Sequence, residues 1–222
     1  MFVMAEMEGL HGKPLPSLER LMLGVRTEDV SSRRSQSNDD PLEARAVAGV
    51  KAGDEAAYDY LVSKYMKRVL SIAWGIVRNA ADAEDLAQEA FVKAFETMPR
   101  FRSGEPFGPW IYRIVTNLGL DLLKHRKRVR HEELSESAPA SRGDNADLPA
   151  VSHELASRID AAMESLPENQ RIVARLFLVE QFEHPEIAAM MGLSEGTVRS
   201  HLSLARRKLQ DKLADLHDGS SR

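Results

Sequence analysis

The stretch Pro185-Glu186-Ile187-Ala188-Ala189-Met190-Met191-Gly192-Leu193-Ser194-Glu195-Gly196-Thr197-Val198-Arg199-Ser200-His201-Leu202-Ser203-Leu204-Ala205-Arg206-Arg207-Lys208 decides how this chain folds. Pro185 suits the first turn of a helix. Ile187, Ala188 and Met191 form that helix's inner face, with Ala188 small enough for a second helix to cross closely. Gly192 can take the left-handed conformation that ends it. Leu193 plugs the turn, Ser194 is a good N-cap, and Glu195 in the next first turn complements the helix dipole. Val198, Leu202, Ala205 and Leu209 then face inward. Thr197, Arg199, Ser200, Ser203, Arg206, Arg207 and Lys208 are left outward or flanking, and with Ser194 they mix hydroxyls and cations as a reader of major-groove base edges and phosphates must. A charged stripe alone usually means a solvated face. Here the small residue, the glycine, the plug and the basic second helix coincide, and the stretch reads as a helix-turn-helix on duplex DNA.

Working toward the N-terminus, Leu155, Ile159, Met163 and Leu166 lie on one helical stripe, and a new helix restarts with Pro167 in its first turn and Ile172, Val173, Leu176 and Phe177 buried. Residues 153–213 therefore read as one small helical domain, with 214–222 a tail. Residues 132–152 are rich in Ser, Ala, Pro, Gly and Asp without apolar period, which is the chemistry of a flexible linker. Residues 41–131 are helical again. Ala57, Leu61, Tyr65, Ile72 and Ile76 recur at helical spacing after a break at Lys51-Ala52-Gly53. A second helix covers about Ala80 to Thr97, with Leu86, Ala90 and Ala94 on one face, and Met98-Pro99 ends it. After the loop Phe101 to Pro106, the residues Trp110, Ile111, Ile114, Val115, Leu118 and Leu122 mark a long helix with a basic end, Lys124, Arg126, Lys127, Arg128 and Arg130. Residues 1–40 carry one weak stripe (Leu18, Leu21, Met22, Val25) and a Ser/Arg-rich end, and read as a mostly disordered tail. The fold class is all-α, two small helical domains joined by a flexible linker.

The 222 residues, 43% of them hydrophobic, are enough for one large or two small cores. Cysteine is absent, which excludes disulfides, thiolate metal sites and cysteine nucleophiles and fits a reducing, cytoplasmic compartment. No apolar run approaches the roughly 20 residues of a membrane span, and Glu6 and Glu8 stand where a signal peptide would be apolar. A net charge of -4 argues against a uniformly basic coat, so phosphate contact must come from charge segregated along the chain. His125, His131, His153, His184 and His201 sit in separate segments without metal-ligand spacing, and no phosphate-binding glycine loop is present. We expect no catalytic residue, no metal and no cofactor.

Leu166-Pro167-Glu168-Asn169-Gln170-Arg171, Glu186-Ile187-Ala188, Gly196 to Leu202 and Ala205-Arg206-Arg207-Lys208-Leu209 resemble region 4 of bacterial sigma factors, which reads the minus-35 promoter element. Response regulators carry a similar terminal module, so the first domain decides. There Asp82-Ala83-Glu84-Asp85-Leu86-Ala87-Gln88-Glu89-Ala90-Phe91 is similar to the region 2 helix that grips the polymerase β′ coiled coil. The resemblance gives Asp82, Asp85, Leu86, Gln88, Glu89 and Phe91 to that contact. The segment Phe107 to Leu118 resembles the part that reads and melts the minus-10 element.

Phe101, Phe107, Trp110 and Tyr112 are interleaved with Arg102, Arg113, Lys124 and Arg126, and opened DNA needs surfaces that stack bases while holding phosphate. The minus-10 set is thus Arg102, Ser103, Phe107, Trp110, Arg113, Asn117, Lys124, Arg126 and Lys127. Phe107 and Trp110 are expected to be mainly structural, with the Arg102–Pro106 loop and Asn117 nearer the displaced strand. Gly108-Pro109 and His184-Pro185 depart from the family pattern, and Gly119 loosens a helix interior by about 1 kcal/mol relative to Ala.

Two domains with no room for a third match the extracytoplasmic-function (ECF) class. The resemblance implies a sigma factor that directs core RNA polymerase, through its β′ and β subunits, to promoter DNA in a stress or envelope response. It leaves room for an anti-sigma partner clasping the linked domains and implies no membrane insertion. Two other readings use the same residues: a helix-turn-helix repressor or activator that is never a polymerase subunit, and a protein-interaction adaptor whose basic helix is only a solvated face.

Overall fold

A computed structural model of the chain describes residues 40–102, 104–132 and 158–218. The expectations for the N-terminal tail up to residue 39, for Ser103, for the linker beyond Glu132 and for residues 219–222 lie outside the described residues. The chain divides into two compact units. Every regular element among the described residues is helical, as expected from the sequence. Among the described residues no helix is long and apolar enough to cross a membrane.

The first unit holds α1 (Pro41–Lys51), α2 (Glu55–Val77), α3 (Ala80–Thr97), a 3-10 turn (Met98–Arg100) and α4 (Phe107–Glu132). The starts of the first three are written locally. Asp40, Asp54 and Asn79 each accept backbone N–H bonds from the first turn that follows, from Leu42, from Ala56 and Ala57, and from Asp82. Asp40, read from sequence as the last residue of the tail, is therefore the cap of α1.

The inner face of α3 is mostly alanine, with Ala83, Ala87, Ala90 and Ala94 buried beside Leu86 and Phe91. Small side chains let α2 and α4 approach closely. At the α2–α4 crossing Gly119 takes this furthest, because a Cβ there would lie 2.9 Å from Ile76 Cγ2. Its hydrogen is what the helix crossing requires, which accounts for a glycine in mid-helix.

The second unit holds α5 (158–164), α6 (Glu168–Leu178), α7 (His184–Met191) and α8 (Glu195–Asp218). Ala162, Met163, Leu166, Ala174, Leu178, Ala205, Leu209 and Leu213 form a core, with Ile159 and Phe177 against it. Pro167 stands one residue earlier than expected: its carbonyl accepts the first helical bond, from Arg171 N–H at 2.9 Å, so it caps α6 rather than occupying its first turn. The α7 start is closed by Glu183 N–H donating to Glu186 at 2.8 Å. Gly192 ends α7 with φ 66, and Leu193 N–H returns to Ala188 O at 2.9 Å. Ser194 Oγ accepts from Thr197 N–H at 3.1 Å and caps α8.

Candidate functional site

Among the described residues, those singled out from the sequence fall on three surfaces. The first is the outer face of α3. Asp85, Gln88 and Glu89 are exposed there. Leu86 and Phe91, grouped with them at the sequence level, lie inside the core at 4% exposure. A side chain that fills an interior has no surface to give, so these two shape the face from beneath. Asp82 is half-buried and already engaged: its carboxylate accepts from Arg126 of α4 at 2.6 Å. One acid of the expected protein contact thus neutralises one cation of the expected DNA contact. The sequence reading missed Val92 and Phe95, 56% and 50% exposed on α3. Their signal was available, since both fall out of phase with the apolar stripe. Phe95 is held edge-on against Tyr58 at 5.0 Å, and the Tyr58 hydroxyl donates to Phe91 O at 2.6 Å. Burial, with Asp59 nearby, pushes the Tyr58 phenol up to about 12.

The second surface belongs to α4 and the connection before it. Phe107 is completely buried and, with Phe101, Tyr65 and Tyr112, builds an aromatic interior rather than a contact face. Trp110 is half-buried, 4.6 Å from Phe101 and 5.5 Å from Phe107 between ring centres, so its indole lies on that aromatic floor with part of it at the surface. Arg102, Arg113, Asn117, Lys124 and Lys127 are exposed. Lys124 donates to Asp121 at 3.0 Å, an acid within the basic stripe that the sequence reading did not weigh. The hydrogen bond that Arg126 donates to Asp82 raises the guanidinium above its ordinary value. Gly108, one of the departures from the family pattern, faces the Tyr65 ring, and a Cβ there would come to 3.0 Å of it.

The third surface is α8. Val198, Leu202, Ala205 and Leu209 are buried as expected, and Arg199, Ser200, Ser203, Arg207 and Lys208 are exposed. Thr197 is partly exposed and shares a 2.8 Å hydroxyl bond with Ser194. Ser200 donates back to Gly196 O, and Arg199 pairs with Glu195 at 2.9 Å. Arg206 is only partly exposed and its Nε is buried without a hydrogen-bond partner, so its stem packs on the unit while Arg199, Arg207 and Lys208 present the charge. His184 at the start of α7 lies 5.2 Å from the Phe177 ring, and burial followed by the Arg199 charge lowers its pKa.

Comparison with known proteins matches the chain to two family models. Sigma-70 region 2 covers residues 61–129, the bulk of the first unit, and Sigma-70 region 4 covers residues 156–209, the bulk of the second. Among curated proteins the chain is 36% identical over 167 residues to the ECF RNA polymerase sigma factor SigE of Mycolicibacterium smegmatis, spanning 73% of this chain and 65% of that one. It is 31% identical to the RNA polymerase sigma-H factor of Pseudomonas aeruginosa, over 78% of this chain and 95% of the relative. It is likewise 31% identical to the ECF RNA polymerase sigma-E factor of Escherichia coli K12, over 77% and 93%. Two solved structures share the fold. One is CnrH in complex with the cytosolic domain of CnrY, with TM-score 0.53 and 23% identity over 81% of this chain and 99% of that one. The other is the sigma factor RpoE in complex with the anti-sigma factor NepR from Bartonella quintana, with TM-score 0.56 and 22% identity over 71% and 96%. With both conserved sigma regions on one chain, and relatives matched over nearly their whole length, the protein belongs to the ECF class of RNA polymerase sigma factors.

Proposed function

We propose that the chain acts as a dissociable initiation subunit in the cytoplasm, with a separate task for each of its three surfaces. The outer face of α3, led by Asp85, Gln88 and Glu89 with the exposed Val92 and Phe95, docks on a basic-apolar surface of core RNA polymerase. The α8 stripe Arg199, Ser200, Ser203, Arg207 and Lys208 enters the major groove of the upstream promoter element. Arg102, Trp110, Arg113, Asn117 and Lys124 hold DNA as it opens, and the polymerase supplies all of the chemistry. An anti-sigma partner would act by covering the α3 face or the α8 stripe.

The observation that carries this reading is the pairing, on one chain, of an acidic-apolar helix face with a capped helix whose cations point outward. A repressor needs the second and has no use for the first. The test is run-off transcription from a genomic promoter pool with purified core enzyme and this protein. Initiation from a discrete set of promoters, absent with core alone, is the expected result. Specific duplex binding without any initiation would leave a plain DNA-binding regulator instead.

A further inference from the structure

The connection between Phe101 and Phe107 carries the exposed Arg102 and leads into the helix that carries Trp110. Phe101 N–H closes the preceding 3-10 turn on Met98 O at 3.0 Å, and beyond that each end of the connection is held by a residue far away in sequence. At the far end, Phe107 N–H, the first donor of α4, is accepted by Glu43 Oε1 at 2.8 Å across 64 residues of chain. Pro106 has no polar side chain with which to cap that helix, and a carboxylate placed there meets both the open N–H and the positive end of the helix dipole. At the near end, Lys51 Nζ donates to Phe101 O, with its ammonium 6.0 Å from the Phe101 ring centre. Glu43 and Lys51 both belong to α1, two turns apart. Within the connection Glu105 N–H closes a turn on Arg102 O at 3.2 Å.

Glu43 is itself fixed. It is 6% exposed, and its second oxygen accepts from Lys64 at 2.7 Å and from the Tyr65 hydroxyl. Lys64 also reaches Asp40 at 2.6 Å, the residue that caps α1. A buried carboxylate with all of its partners in place is costly to disturb and rigid in position.

We infer that α1 is a two-point brace, in which Lys51 and Glu43 hold the two ends of the 101–107 connection and so place Arg102 and Trp110 to receive an unpaired base and its phosphate. The inference deepens the proposed function and rests on its assignment of this surface to opened DNA. Fixing Phe101 and Phe107 also fixes the floor under Trp110, which lies against both rings. Single-strand capture depends on a stacking face and a cation held at a set separation, and a connection free to drift would lose that separation before it lost its fold. Glu43 and Lys51 are positioning residues that touch no DNA.

The test uses holoenzyme assembled from core polymerase with the whole protein, and compares its affinity for two probes. One is an unpaired non-template strand spanning the opened region of a promoter recovered from in vitro transcripts. The other is a duplex covering only the upstream element. Lys51→Met and Glu43→Gln should each weaken strand binding by about tenfold, the scale of one lost charged hydrogen bond, with duplex binding unchanged. Lys51→Arg, which keeps the donor, should restore it. Lys51 is exposed, so its variants report even if Glu43→Gln fails to fold. Equal weakening for both probes would mean a general loss of folded protein, and wild-type strand affinity in Lys51→Met would mean that the connection needs no brace; either overturns the inference. If the wild-type holoenzyme shows no preference for the unpaired strand, the functional assignment of this surface fails instead.

Discussion

At Gly119 a hydrogen stands where any other side chain would push into Ile76 Cγ2 at 2.9 Å and Leu86 Cδ2 at 3.2 Å. Helix propensity alone says that Gly119→Ala should stabilise by about 1 kcal/mol. Overpacking of a tight core costs about 1–3 kcal/mol, and Ile76 is buried and would be struck at the methyl carried by its branched, stiff β-carbon, so packing wins. Gly119→Ala should therefore lower the melting temperature of the protein in calorimetry, whereas a rise would mean that the two helices can part without cost. Glu43 is decided by the same kind of balance. Burial pushes its carboxyl upward, but the bonds from Lys64, Tyr65 and the Phe107 amide together prevail and hold it below its ordinary value of 4.5. A carboxylate depressed in the folded state contributes stability that is present above its unfolded pKa and is lost as pH falls through the folded one. Urea midpoints measured from pH 7 to well below 4.5 should fall as the pH drops past 4.5, and should fall less there in Glu43→Gln, which has already lost that contribution and begins roughly 1–3 kcal/mol less stable. Parallel pH profiles for the two proteins would contradict this.

At the scale of elements, α3 is the clearest case of a helix with two unlike faces. Its alanine side lies on α2 and α4, and its outer side joins acids to two apolar residues that the fold does not use. Tyr58 braces Phe95 from behind, so the ring is presented rather than collapsed. An exposed aromatic held rigid is the kind of residue that dominates a protein interface. Phe95→Ala should reduce association with core polymerase at least about tenfold in a pull-down titration, while Arg207→Ala on α8 leaves it unchanged. Retention of full binding would move the docking face away from this part of α3. The helices were largely legible in the sequence because their signals are local: the break at Lys51-Ala52-Gly53, the cap at Ser194, the stops at Gly192 and Met98-Pro99, and stripes of 3.6 period. The outward cations of α8 were legible for the same reason. What could not be read joins residues far apart in the chain. Nothing in the sequence near Asp82 announces Arg126, and nothing near Phe107 announces Glu43. Such pairs are set by how helices stack, and they decide which charges stay available at the surface.

At the scale of the whole molecule, a net charge of -4 has to coexist with binding to a polyanion. Part of the answer is segregation, and part is local pairing. Arg102 has Glu105 at 3.8 Å, Lys124 has Asp121 at 3.0 Å, and Arg199 has Glu195 at 2.9 Å, each acid lying three or four residues from its cation. Among the described residues no such ion pair is made by Arg207 or Lys208. All three of these pairs are at the surface, where they contribute little to stability, so their effect is on the charge the protein shows to DNA. A paired arginine must give up its carboxylate before it can displace a counterion from phosphate. For the isolated protein on non-specific duplex, the part of the salt slope that comes from the Arg199, Arg207 and Lys208 stripe should then be about -2, from Arg207 and Lys208, rather than about -3 for all three. Glu195→Gln should steepen the slope by about 1 and tighten binding at low salt, although it removes an acid that suits the start of α8. If the slope does not change while specific binding improves, Arg199 is reaching a base edge instead of the backbone, and Glu195 serves to hold it in register for that contact.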